Sequence, residues 1–430
     1  MPTSPSPTRR RFLQSGLAAG ALLALPKSVY HAALLAEEKP SERIRVGCIG
    51  LGGQGKGNMK AIQTNVVAIC DVDAGHLADA EKLVGAANGK AESFRDYRKL
   101  LESKEIDAVL ISTPDHWHAL QTIHACEAGK DVYCEKPLTL VIAEGRAMVN
   151  AARKHKRIVQ TGSQQRSDAK FRQACELVRS GYLGKIHTVK VGLPGPNFKG
   201  PGIADGKIPD GLDFDLWLGP APLRPYNEKR VHYLFRFFWD YSGGQQTNFG
   251  AHHLDIAQWG LGMDDSGPTK IEGKATFHKD KWFETPETAR VTYTYDNGIK
   301  MLCSLGGGKD AYAGGTTFEG DKGTIFVTRG KLEMTTGGEK VDAAKLPVPD
   351  IKLYASTSHH KNWLECIKSR KPPICDVEIG HRSATVCHLG NIALRTGAPI
   401  VWDPEKEEIV GDAEAAKLMT KEYRKPWKLG

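Results

Sequence analysis

The 430-residue chain reads as α/β: an N-terminal doubly wound parallel sheet, then an α+β domain with an open, largely antiparallel sheet. Three observations predict this. Short apolar runs of strand length alternate with helical stretches in the N-terminal part, the order that builds a parallel sheet. A glycine loop joins the first run to a helix-compatible segment. From Lys270 onward, polar and apolar residues alternate in runs broken by turn signals, as in strands buried on one face.

The runs of the first region are Ile44–Ile49, Val66–Cys70, Ala108–Ser112, Asp131–Cys134 and Ile158–Gln160. Helical stretches lie between them, among them Tyr97–Ser103 and Ala119–Ala128. In the loop, Gly50, Gly52 and Gly55 stand at GxGxxG spacing, with Gly53 and Gln54 inside it. Gly50 permits the tight turn, Gly52 lets the backbone approach a pyrophosphate, and Gly55 lets the helix pack on its strand. The helix N-terminus offers free N–H groups and partial positive charge to the phosphates. The next run ends at Asp71, where a carboxylate accepts ribose hydroxyls and repels a 2′-phosphate. The expected cofactor is therefore NAD in preference to NADP.

Ahead of this region, Thr8-Arg9-Arg10-Arg11-Phe12-Leu13 precedes a short apolar stretch from Leu17 to Leu25. This resembles a bacterial twin-arginine signal and implies export, to the periplasm or otherwise by that route. We divide the chain into a signal peptide (1–36), a nucleotide-binding domain (41–166), a substrate and oligomerisation domain (167–385) and a C-terminal return segment (386–430). The formal charge of +9 includes four cations of the signal segment. The rest shows no dense basic run with interleaved aromatics, so a nucleic-acid partner is not expected. No later apolar stretch is long enough to span a bilayer. The nine cysteines include no CxxC pair and sit in apolar strand-like and helix-like runs. Buried free thiols suit that setting better than disulfides.

Three loops after strand-like runs carry unusual polar chemistry: Thr113-Pro114-Asp115-His116-Trp117-His118, Glu135-Lys136-Pro137, and Gln160 to Arg166. With the glycine loop, a later Gly250-Ala251-His252-His253-Leu254-Asp255 and Gly390-Asn391-Ile392-Ala393, they occur in the order of a known family. Over nearly the whole mature chain the sequence resembles the glucose–fructose oxidoreductase / inositol dehydrogenase (Gfo/Idh/MocA) oxidoreductases. The resemblance implies a Rossmann N-terminal domain, and implies that Lys136 reaches the substrate hydroxyl with Glu135 beside the nicotinamide ribose. It also implies a cis bond before Pro137, and places Thr113, Pro114, His118, Gln164 and Arg166 around the cofactor. Asp115 stands where the family often has Asn. His116 carries no family role and is expected at the surface.

In the second part, Ile186–Val191 alternates as a one-sided strand, and a Gly/Pro-rich loop from Pro194 to Gly211 is expected to overhang the substrate site. Trp217 is expected in the core. The family's general base is a histidine, here His252, often with an aspartate four residues earlier, where this chain has Asn248. An Asn orients but brings no charge, so His252 works alone, or Asp255 or Asp240 substitutes, or the chemistry departs from simple alcohol oxidation. On a helix from Gly250, His252, Asp255 and Trp259 share one face. A metal on His252, His253 and Asp255 is disfavoured because adjacent helical histidines point apart. His253 suits helix–sheet packing as well as it suits a ligand role.

The expected partner is a small carbohydrate or polyol, with a homo-oligomer formed through the second sheet. The expected activity is NAD-dependent oxidation of a sugar or polyol hydroxyl. The alternatives are glycoside cleavage by transient oxidation and elimination, and an inactive nucleotide-loaded sugar-binding protein.

Overall fold

Strands β1 (Val46–Ile49), β2 (Val66–Cys70), β3 (Glu92–Phe94), β4 (Ala108–Ile111), β5 (Asp131–Cys134) and β6 (Val159–Thr161) form a parallel sheet in the order β3-β2-β1-β4-β5-β6. They belong to a computed structural model that describes residues 42–429; the twin-arginine segment and its cleavage region lie outside the described residues. Every residue of β1, β4 and β5 is buried, as strands covered by helices on both faces require. One face carries Met59, Val84 and Leu110, the other Ile111, Leu120 and Met148. The strand order reverses between β1 and β4, which opens a crevice at their carboxyl ends.

The connections follow local chemistry. Helix α1 (Gly53–Ala61) leaves β1 through the glycine turn. Gly50 has φ +83°, and a Cβ there would stand 2.7 Å from the Thr113 nitrogen. A Cβ on Gly55 would stand 2.0 Å from the Gly50 carbonyl oxygen, so only glycine lets α1 lie against its strand. Helix α2 (Ala74–Asn88) starts at Asp73, whose carboxylate accepts the Gly75 and His76 N–H groups. Helices α3 (Tyr97–Glu102), α4 (Asp115–Glu127) and α5 (Ile142–Lys154) complete the layers.

The second sheet is approached through α6 (Ala169–Arg179), capped by Asp168. It contains β7 (Ile186–Leu193), β8 (Lys270–Phe277), β9 (Pro286–Thr294), β10 (Lys300–Leu305), β11 (Gly315–Gly320), β12 (Gly323–Thr328), β13 (Lys331–Thr336) and β14 (Glu339–Lys340), in the order β14-β13-β12-β11-β7-β10-β9-β8. Neighbours are antiparallel except β7 and β10. Between β7 and β8 lie α7 (Phe214–Leu218), α8 (Gly244–Asn248) and α9 (Gly250–Leu261). Phe171, Val191, Leu254, Tyr293 and Phe318 pack between this sheet and its helices.

Two late helices bind the halves together. From α10 (His359–Ser369), Trp363 and Ile367 enter the first sheet's core. From α11 (Val377–Thr396), Val377 and Ala384 join the first sheet's core while Val386 and Leu389 join the second. Strands β15 (Ile400–Asp403) and β16 (Glu408–Ile409) then extend the second sheet beyond β8. All nine cysteines are free and buried. Among the described residues no helix is long and apolar enough to cross a membrane.

Candidate active site

A cleft of about 440 Å³ runs along the crevice, from the glycine loop and Asp71 at one end to Asp115, Lys136 and Asn248 at the other. At the glycine end, Asp71 is buried. Its two carboxylate oxygens each accept one backbone N–H, from Leu51 at 2.6 Å and Asp73 at 2.8 Å. Oδ1, which takes only the Asp73 N–H, keeps a further lone pair for a ribose hydroxyl, while Oδ2 also faces His76. His76 stands 3.4 Å away, and its bond to Asp71 raises the imidazole pKa. NAD fits this end on two grounds: a turn whose Gly50, Gly52 and Gly53 put bare backbone against the cleft, and an anchored acceptor at Asp71. Gly52, Gly53 and Gln54 line the cradle, whereas Gly55 serves packing.

At the other end the backbone is tied by side chains. Glu135 accepts from Asn58 at 2.8 Å and Gln54 at 3.2 Å, which pins the loop after β5 to α1. The Lys136–Pro137 bond is cis. Lys136 Nζ donates to Asn248 Oδ1 at 2.9 Å and to the Asn248 carbonyl at 3.3 Å. Asn248 is oriented in turn by its amide donation to Gln245 at 2.8 Å, and Gln245 donates to the Gly195 carbonyl. Burial lowers the Lys136 pKa, and Glu135 and Asp115 oppose that shift. An Asn supplies an acceptor without a counter-charge, so it fixes the amine while the compensating charge comes from Glu135 and Asp115.

His252 lies one turn beyond Asn248, at the start of α9. It is 9% exposed, does not line the large cleft, and its Nδ1 has no partner in the protein. Burial, with the nearby Lys136 and Arg329 cations, pushes its pKa well below the usual histidine range. No carboxylate compensates. Asp255, expected as a substitute, accepts from Arg166 at 2.8 Å and from Ser383 at 2.6 Å. Asp240, the other candidate, is paired with Arg224 and Lys421. His253 packs toward the Phe171 ring, and its carbonyl accepts from Thr316.

Several residues expected around the cofactor lie behind the cleft. Arg166 is 1% exposed, with its guanidinium shared between Asp255 and Asp264, so it is a structural hub and no cofactor ligand. His118 is buried too; its two ring nitrogens face the Thr113 and Pro137 carbonyls, each at 2.8 Å. Two acceptors require two N–H groups. Although burial alone would lower it, Cys134, Asp115 and the Pro137 carbonyl raise the His118 pKa to about 10. His118 therefore clamps the two loops from behind. Gln164 is exposed and reaches the site only through Asn58 and the Tyr133 hydroxyl. Thr113 and Pro114 do line the cleft.

His116, expected at the surface, is 1% exposed, bonded to the Trp217 carbonyl at 3.0 Å and packed on Tyr241. Burial lowers its pKa to about 3. Trp217 is buried and also forms cleft wall. The Pro194–Gly211 loop does not line the cleft; its Phe198 stacks on Phe283. The overhanging segment is instead His232 to Arg236, which sequence reasoning missed. Its only signal was an aromatic-rich run, Tyr233-Leu234-Phe235-Arg236-Phe237-Phe238-Trp239, which reads as core.

The fold and the glycine cradle define a dinucleotide-binding oxidoreductase. The chain belongs to the Gfo/Idh/MocA oxidoreductase family: residues 44–163 match its NAD-binding Rossmann fold and residues 167–429 its C-terminal alpha/beta domain. It is 32% identical over 152 residues to myo-inositol 2-dehydrogenase of Thermotoga maritima, covering 34% of this chain and 44% of that one. It is 30% identical over 272 residues to the uncharacterized oxidoreductase YrbE of Bacillus subtilis, covering 61% of this chain and 67% of that one. The chain thus spans under half the length of the inositol dehydrogenases it matches. Among solved structures, the WlbA dehydrogenase of Bordetella pertussis, in complex with NADH and UDP-GlcNAcA, superposes with a TM-score of 0.64 at 21% identity. That superposition covers 84% of this chain and 99% of that one.

Proposed function

We propose that the protein is an exported NAD-dependent dehydrogenase acting on a hydroxyl of a sugar, sugar derivative or polyol. The observation that carries this reading is the glycine cradle and Lys136 facing one cleft, with the amine fixed by Asn248. When bound there, NAD supplies the hydride acceptor. Lys136 commits two donors to Asn248 and keeps a third for the substrate oxygen, where an ammonium favours the developing negative charge. His252, behind the cleft wall but close enough to feel the Lys136 charge and with its Nδ1 unpartnered, is our assignment for the group that accepts the hydroxyl proton. The inositol dehydrogenases among the relatives support the polyol class, the twin-arginine segment supports export, and the half-exposed outer face of the second sheet supports pairing of subunits there.

The pH dependence follows from the environment of His252. The neutral imidazole is the form that accepts a proton, and burial with Lys136 and Arg329 stabilises it. A folded-state pKa below the ordinary ~6.5 keeps the base competent through neutral pH, with kcat/KM falling only on a more acid limb. His252→Gln should remove that limb and lower kcat by about 10²–10⁴-fold. A limb above the ordinary histidine value, or one that survives the substitution, contradicts the assignment.

A second reading has one observation in its favour: Lys136 and His252 lack the carboxylate partner that Asn248 replaces. In that reading the sugar is oxidised transiently, its glycosidic bond eliminated, and the product re-reduced. A glycoside that releases its aglycone with catalytic NAD and no build-up of NADH would support it over net oxidation.

A further inference from the structure

We propose that the substrate carries a carboxylate and that Arg236 binds it, so that the class is a sugar acid, such as a uronate. This rests on the dehydrogenase reading and names its substrate class. Arg236 sits on the overhanging segment and lines the same cleft as Lys136 and Asp115. Its guanidinium lies 4.1 Å from the centroid of the Tyr233 ring and 4.9 Å from that of Phe235, which fixes the plane of the fork. Of five N–H donors, the protein uses one, toward the Tyr233 carbonyl.

Neighbouring arginines of this segment are neutralised: Arg224 by Asp240 and Glu284, and Arg230 by Asp205. Among the described residues no carboxylate forms an ion pair with Arg236. The guanidinium is half-buried, and its desolvation lowers its pKa, the sign of a cation short of a counter-charge.

The local charge balance points the same way. Lys136 and Arg236 face the cleft together, and Arg329 acts on Lys136 from beyond Phe249. Against them stands Asp115, which accepts the Ser242 hydroxyl and whose pKa burial raises. Glu135 is held by Gln54 and Asn58. Cofactor phosphates belong at the glycine end, where the α1 N–H groups lie, whereas Arg236 acts on Lys136 and Asp115 at the other. With no carboxylate paired to it, the planar fork of Arg236 suits a carboxylate. A sugar acid brings that group and a carbinol to the two cations at once.

The test is titration calorimetry on the full-length protein loaded with NADH, which binds sugars without turnover. The probes are D-glucuronate against D-glucose, D-galacturonate against D-galactose, and glucose 6-phosphate. Each acid should bind at least about tenfold more tightly than its neutral partner and than the phosphate. Arg236→Gln should lose most of that preference, and Arg236→Lys should recover part, since a point charge lacks the fork. Equal binding of acid and neutral sugar, tighter binding of the phosphate, no binding of either acid, or a preference that survives Arg236→Gln would overturn the proposal. Failure of the dehydrogenase reading looks different: the acid binds, yet NAD is not reduced by it.

Discussion

Lys136→Ala is expected to lower kcat by about a thousandfold, the range for removing a charged donor aimed at a developing oxyanion. The variant should still bind NADH, because the glycine cradle and Asp71 stand at the far end of the cleft. Lys136→Arg should rescue little. Its longer planar head cannot take both Asn248 acceptors and still aim a donor at the same oxygen. Steady-state rates paired with NADH fluorescence separate the outcomes. A kcat within tenfold of wild type would show that the amine only positions Asn248.

Arg166→Met should cost about 3–5 kcal/mol of unfolding free energy, because it strands Asp255 as a buried charge beside a half-covered Asp264. The substitution keeps apolar volume over the Trp259 ring, which the guanidinium now covers at 5.1 Å. Lost charge compensation therefore dominates. Urea unfolding followed by circular dichroism reads the effect, and a loss under about 1 kcal/mol would mean that water reaches the carboxylates. The contrast with Lys136→Ala is deliberate. One substitution removes rate while the fold persists, and the other removes stability from a site that touches no substrate.

Those two residues also show what the sequence disclosed. The parallel sheet and the glycine turn were legible because each depends on local chemistry, strand-length apolar runs and glycine where a Cβ cannot fit, whereas the cis Lys136–Pro137 bond was implied by the family resemblance that the ordered motifs carry. Arg166 was misassigned because a lone arginine after a strand looks the same whether it faces a phosphate or a buried carboxylate. Its partners, Asp255 and Asp264, lie 89 and 98 residues away. His118 and His116 were misread for a similar reason. Both sit on a polar-looking loop that tertiary packing drives inward, against Pro137 and Trp217. Arg236 left no local signal, since only the fold shows that its neighbours are paired and it is not.

Asn248 gives the opposite lesson. A single-residue departure, visible in the sequence, falls on the side chain that accepts from Lys136. Without a carboxylate there, Lys136 is fixed but takes its compensating charge from Glu135 and Asp115, and His252 is a weak, neutral base.

The most direct measurement is isotope transfer. A uronate or polyol deuterated at its carbinol carbons is incubated with the NAD-loaded protein, and the nicotinamide is recovered for mass spectrometry. The mechanism places deuterium on the nicotinamide of the wild type, and about a thousandfold more slowly on that of Lys136→Ala. An unlabelled nicotinamide from wild-type protein that binds the sugar would contradict it.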